Sequence, residues 1–490
     1  MDITLKSSQM KIISFSIACV FSFQTYAAVV EVGKVRYARG VLTGQVEGES
    51  PRIMGRGLPL HNGETLNTGK KSFAVISLKD GTKMTLRPNT TFKIENVNTK
   101  RKEENIFLRL LRGGFRAITG SISKKDPKAF RVNTAVATIG IRGTEFDARI
   151  CDQDECDQEN KSNKKSAEQS NTVIGRIALL NGKASATAEN LQTRPLSVGA
   201  AIYERDQLQT GINSHAVIAF NDKSRVTMSP VSSFKIEEHR YKPEFADENN
   251  AFLRFLKGGL RIVSGLIGKL NRSGYRVATP TATIGIRGTG FDLICEGRCS
   301  DQNVSWNPLN EGPLAKLLAY FVKPVYAQTL KDGMYAQVWS GTIELILGSG
   351  KLILNPGRAA FLRNGTSRPI LLPNIPVHLR NMGGAPRPDK VKVDDNLFSS
   401  VDQKDIKPGL HVYVRDGDVQ LTSKTGSVVN LGKNEAGMTG LDGVSIRLKF
   451  VPPFQKFDDI PLPDGVSARF EDLQSLFDGD DGKKFECTVQ

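Results

Sequence analysis

"VATIGIRGTEFD", Val136 to Asp147, and "TATIGIRGTGFD", Thr281 to Asp292, are nearly one phrase written twice. From the shared alanine, Ala137 and Ala282, ten of eleven positions are identical. Such a phrase is either a site present twice or an element that one fold unit requires, in a chain holding two units. Alternation favours the second reading. In an extended strand Ala137, Ile139, Ile141 and Gly143 share one face, while Thr138, Gly140, Arg142 and Thr144 share the other. The isoleucine face is expected to be buried. Gly140 weakens a strand, so a bulge or a close backbone approach is expected there. Gly143 is expected to supply a positive φ for a bend, after which Phe146 resumes the core pattern. Arg142 and Asp147 recur as Arg287 and Asp292 and are expected to pair across that bend. The second copy repeats the set as Ile284, Gly285, Ile286, Arg287, Gly288, Thr289, Phe291 and Asp292. A ligand-binding Arg142 is the competing reading. A phosphate loop is excluded, because neither G-x-G-x-x-G nor a following Gly-Lys-Ser/Thr is present. Glu145 is Gly290 in the second copy, so chemistry requiring Glu145 is not common to both units.

The likeness extends outward. "LNTGKKSFAVISLKDGTKMTLRPNTTFKIE" (66–95) aligns with "LQTGINSHAVIAFNDKSRVTMSPVSSFKIE" (208–237), and "FLRLLRGGFRAITGSI" (107–122) with "FLRFLKGGLRIVSGLI" (252–267). Alternating runs with Gly-bearing turns predict strands. Asp80-Gly81 marks a hairpin, with Asn221-Asp222 expected in its place in the second copy. "GMYAQVWSGTIELILGSGKLIL" (333–354) resembles "GLHVYVRDGDVQLTSKTGSVVN" (409–430), and each predicts a further hairpin. The fold class expected is all-β: two tandem sandwich or jelly-roll-like domains, alternatively β-helical, plus C-terminal hairpin modules. The expected boundaries are a signal peptide at 1–27, a first domain at 28–151, a polar linker at 152–171 and a second domain at 172–299. A hairpin segment at 300–371, a Pro/Gly-rich linker at 372–408 and a hairpin module with an acidic tail at 409–490 follow.

The apolar run Ile12–Phe23 before Thr25-Tyr26-Ala27 reads as an export signal cleaved after Ala27. The Cys151/Cys156 and Cys295/Cys299 pairs, each just after a copy of the motif, then predict local disulfides in an oxidising compartment. Their spacings, C-x4-C and C-x3-C, differ from the C-x2-C zinc knuckle, and no metal is expected. The chain of 490 residues carries a formal charge of +16 without a long basic run. The basic residues are spread along the chain and read as ordinary solvated faces; a binding surface built from the surplus would suit an acidic glycan, a lipid surface or an acidic protein, and nucleic acid is not expected. None of the five histidines occupies an equivalent position in both copies. No H-e-x-x-H or G-x-S-x-G pattern occurs, so no catalytic residue and no cofactor is expected.

"GETLNTGKKSFAVISLKDGTKMTLRPNT" (63–90) followed by "ATIGIRGTEFD" (137–147) resembles the FecR domain family, and both repeats match. The resemblance implies a β-rich periplasmic domain. The best-known members are transmembrane regulators of iron uptake that control a cytoplasmic sigma factor. Here an export signal stands in place of a cytoplasmic helical segment and a membrane helix, so the anti-sigma role is not expected to carry over. The expected function is an exported, non-enzymatic binding or scaffolding module in the periplasm or at the cell surface, with an unidentified envelope protein as first partner. A relay in iron-uptake signalling and an electrostatic binder of envelope glycan or lipid are the alternatives.

Overall fold

Four long strands organise the molecule, which we describe from a computed structural model: β1 (Ala137–Cys151), β2 (Thr283–Glu296), β3 (Gly333–Leu347) and β4 (Gly409–Ser423). The structure describes residues 30–101, 103–161, 167–168, 173–297, 333–363, 368–403, 405–456 and 460–464. Ala27, Cys299 and Cys487 lie outside them. The chain is all-β, with two tandem domains, each a sixteen-stranded curled sheet. Every pairing in the first sheet is antiparallel except that of Phe130–Asn133 with Asn105–Arg112; Tyr275–Ala278 with Asn250–Lys257 repeats this exception in the second. This is a curled antiparallel sheet rather than a β-helical stack.

The repeated motif sits where each sheet turns. Thr138–Gly140 of β1 pair with Arg131–Asn133, whereas Glu145–Arg149 pair with Gly114–Ile118. β1 therefore belongs to both halves of the sheet. A strand can change halves only through a bend or bulge; the register shifts at Arg142–Glu145 and Gly143 has φ 55°. β2 repeats the device, pairing through Thr283–Gly285 and Gly290–Ile294, with Gly288 at φ 60°.

The later hairpins are not separate modules. β3 runs antiparallel along the whole of β2, from Thr283↔Ile346 to Glu296↔Gly333. β4 returns to the first domain and runs along β1, from Ala137↔Ser423 to Cys151↔Gly409. Its residues Leu410, Val412, Val414, Val419 and Leu421 join Ile139, Ile141 and Phe146 in one buried core. The first domain is thus discontinuous in sequence, and the second is held between its two parts.

The described parts of two expected linkers are packed structure. The polar stretch after Cys151 forms a helix, Gln153–Lys161, which buries Cys156, and its Asn160 exchanges hydrogen bonds with the Ile406 backbone at 2.8 and 3.0 Å. Ala167–Glu168 then pairs with Phe450–Val451. In the Pro/Gly-rich stretch Ile375, Met382 and Ala385 are buried against Ile294, Tyr335 and Phe361. Arg261 donates to the carbonyls of Arg380 and Ala385 at 2.7 and 2.8 Å, which holds this stretch on the second sheet. Apolar residues are sparse in both segments, and a few scattered anchors hold them.

The hairpin at Asp80-Gly81 forms as a three-residue loop with Gly81 at φ 89°. Its counterpart lies one residue later than expected. Lys223 has φ 67° and donates to the Phe220 carbonyl at 3.0 Å, so Asp222-Lys223 replaces Asp80-Gly81.

Candidate functional site

The motif residues divide between scaffold and cleft. Ile139, Ile141 and Phe146 are buried to 1% exposure or less, as are Ile284 and Phe291, with Ile286 at 2%. Thr144 secures the bend: its amide donates to Thr119 Oγ1 at 2.8 Å and its hydroxyl to the Asp418 carbonyl at 2.9 Å. Thr289 does the same with Ser264 Oγ at 2.8 Å and the Thr342 carbonyl at 3.0 Å. Gly140 and Gly285 differ from expectation. Neither has a positive φ, and a Cβ would lie 3.7 Å from Gln420 O in the first case and 3.8 Å from Glu344 Oε2 in the second. These are ordinary contacts, so no bulge or close backbone approach explains either glycine.

The expected Arg142–Asp147 pair is not made. Asp147 is buried and directly opposite Arg116 in register, whose Nε lies 2.5 Å from Oδ1. Arg415 Nε reaches the other oxygen at 2.7 Å. Burial pushes the Asp147 carboxyl up, and Arg116 and then Arg415 oppose that shift. In the second domain Asp292 faces Arg261 at 3.7 Å and accepts from Trp339 Nε1 at 3.1 Å. The recurrence of the arginine was visible in "GGFR" and "GGLR", which place Arg116 and Arg261 at equivalent positions, but its pairing with the aspartate was not. What hid it was the register, which only a known strand order supplies. The side chain of Arg287 lies outside the described residues.

The Glu145/Gly290 difference has a packing cause. Arg415 and Trp339 occupy equivalent positions in the irregular registers of β4 and β3. A Cβ at residue 290 would lie 2.2 Å from the Trp339 ring, so glycine makes room for the indole.

Released from Asp147, Arg142 lines a cleft of about 1240 Å³ between the two domains. The first domain contributes Lys124, the corner Arg142–Glu145 and Asp416–Asp418; the second contributes Arg194, Tyr203, Asp206, Asn221 and His239–Lys242. Burial lowers the Arg142 pKa and Asp418 opposes that; the guanidinium has no hydrogen-bond partner among the described residues. Burial raises Asp418, whose Oδ1 accepts from the Ala201 amide of the other domain at 3.1 Å. Arg194 is held by Asp206, Nη1 to Oδ1 at 2.9 Å. His239 is 4% exposed, stacks on Phe220 and lies 3.6 Å from Asp222, and neither ring nitrogen has a hydrogen-bond partner among the described residues. Interdomain bonds fix the back of the cleft. Arg176 pairs with Glu435, which also meets Arg447 at 3.2 Å, and the Lys433 amide donates to Tyr203 Oη at 2.8 Å.

Cys151 and Cys156 form a disulfide. Cys295 is disulfide-bonded as well. No helix of the described residues is long and apolar enough to cross a membrane.

Comparison with known proteins agrees with the repeats. The family described as FecR protein matches residues 64–159 and 206–305. β3 and β4 lie beyond both matched regions. No curated protein matches the chain. Among solved structures, two crystal structures of a candidate anti-sigma factor from Parabacteroides distasonis ATCC 8503 are similar. One gives a TM-score of 0.23 at 10% identity and the other 0.22 at 13% identity. Each alignment covers 34% of this chain and 58% of the other, so the chain spans little more than half the length of these relatives. Two tandem regions of the chain, one in each domain, thus match the FecR family.

Proposed function

We propose that this is an exported, non-enzymatic FecR-domain protein that binds an envelope partner through the cleft between its two domains. The observation that carries the reading is the position of Arg142. Its side chain leaves the scaffold and, with Glu145 beside it, lines the cleft between the two domains. Clefts at domain interfaces are the usual sites of recognition. The buried isoleucines and Phe146 serve packing, and Asp147 is occupied by two arginines, which supports a binding role over a reactive one. A Gram-negative envelope location is the setting associated with FecR domains, and the run before Ala27 supports export.

Photo-cross-linking from position 193 in the cleft wall, in native envelopes, tests this. The expected result is a discrete partner that is lost in Arg142→Glu and is not captured from position 53, far along the first sheet. Equal capture from both positions, or capture unaffected by Arg142→Glu, would reject the cleft. The FecR match also favours a relay in metal-uptake signalling; unchanged iron-responsive transcription in a deletion strain would reject that role.

A further inference from the structure

The side chain that closes the first disulfide corner is a histidine. His411 lies on β4 opposite Arg149, and its ring and the sulfurs of Cys151 and Cys156 present ligand atoms within 4.8 Å of one another. His411 is fully buried, and its Nε2 meets the Lys407 carbonyl at 2.7 Å. A carbonyl only accepts, so Nε2 carries the hydrogen and Nδ1 presents a lone pair. That Nδ1 has no hydrogen-bond partner among the described residues. An imidazole that donates one N–H to a backbone carbonyl while the other nitrogen stays open is the outer-shell pattern of metal-binding histidines. The surroundings are dry: Ile406 and Phe454 pack on the two cysteines.

The second domain provides an internal comparison. There Tyr335 stands opposite Ile294, where His411 stands opposite Arg149. A strand of this kind beside a disulfide-bonded cysteine therefore does not need a histidine, and in the first domain the imidazole sits with one buried nitrogen unsatisfied.

We propose that Cys151, Cys156 and His411 form a redox-gated site for Cu(I). In the oxidised protein the sulfurs are bonded to each other and the site is closed. A dithiol reductant opens it by exchange: the S–S bond accepts two electrons and two protons, giving two thiols, and the reductant becomes a disulfide. Cu(I) then binds both sulfurs and the His411 nitrogen, and two protons leave. Soft thiolates select Cu(I) and zinc. Zinc takes four ligands in structural sites, and among the described residues only three ligand groups converge here. Three donors in an apolar pocket suit Cu(I). Reduction in the envelope would thus be converted into copper capture beneath the helix Gln153–Lys161.

The test uses the full mature chain, reduced with a phosphine, freed of it anaerobically, and titrated with Cu(I) against bicinchoninate. Reduced wild type is expected to take up one Cu(I) per chain more than Cys151→Ser/Cys156→Ser, which serves as the blank for the remaining cysteines. His411→Tyr, which installs the residue of the second domain, should weaken that extra binding about tenfold or more. At one equivalent, X-ray absorption of the wild type should show sulfur and nitrogen scatterers together, a readout that depends on no variant. Equal uptake by wild type and the double serine variant, equal uptake by oxidised protein, or a sulfur-only shell would each overturn the assignment.

Discussion

Two glycines three residues apart in the same motif should respond oppositely to one methyl group. Gly143 has φ 55°. An alanine there must hold a left-handed backbone, which costs roughly 1–2 kcal/mol. The new Cβ would lie 3.4 Å from Lys124 Cγ, a flexible side chain, so crowding adds little. Gly140 has no positive φ, and its Cβ would meet nothing closer than 3.7 Å. Alanine at 140 should therefore be neutral or stabilise by about 0.5–1 kcal/mol through lower chain entropy. Urea unfolding at constant m-value reads both, and with a typical slope of roughly 1–3 kcal/mol per molar the two midpoints separate clearly. Far-UV circular dichroism confirms that each variant folds. If Gly140→Ala destabilises as much as Gly143→Ala, the assignment of the corner to Gly143 is wrong and Gly140 holds an unrecognised constraint. If neither has an effect, the bend does not depend on glycine.

Asp147→Asn would leave Arg116 and Arg415 facing each other in a buried site. A loss of about 3–5 kcal/mol is expected from the uncompensated charge, measured by urea midpoint; Arg142→Gln should change it by less than about 0.5 kcal/mol. Removing 409–490 takes β4 from the first core. Limited proteolysis should then degrade 30–151 and spare 173–363, whereas protection of both would show that the first domain folds without β4. The interdomain contact should be acid-sensitive. Burial pushes Glu435 up, but Arg176 and then Arg447 more than reverse this and hold it below the usual carboxylate range. Its contribution is therefore fully present above the ordinary value of about 4.3 and is lost as pH falls through the lower folded value. Small-angle scattering should show the domains separating only below about pH 4, and separation between pH 6 and 8 would contradict the assignment.

The all-β class and the inward faces of Ile139, Ile141 and Phe146 were legible because alternation is a local property. So was Gly143, since a bend inside an apolar strand demands a residue tolerant of positive φ. Partners were not legible. Asp147 meets Arg116 because two strands lie in register, and it meets Arg415 because β4 returns from 268 residues further along the chain. Local pattern carries no information on either pairing. The cleft escaped notice for the same reason: its walls come from the motif corner, from 188–195 and 239–242, and from the β4 turn. The two supposed linkers misled because Gly, Pro and polar residues dominate their composition, while the anchors that fix them, such as Asn160 and Met382, are scattered along them.

Amide hydrogen exchange across 137–151 and 283–296 tests the central claim most directly. If the doubled motif is scaffold, the amides of Ile139–Ile141 and Phe146–Ala148 exchange only through global unfolding, as do their counterparts in the second copy, with or without a bound partner. Rapid exchange there under native conditions, or protection that appears only when a partner binds, would mean that the motif is a mobile recognition element and not the strand on which each domain turns.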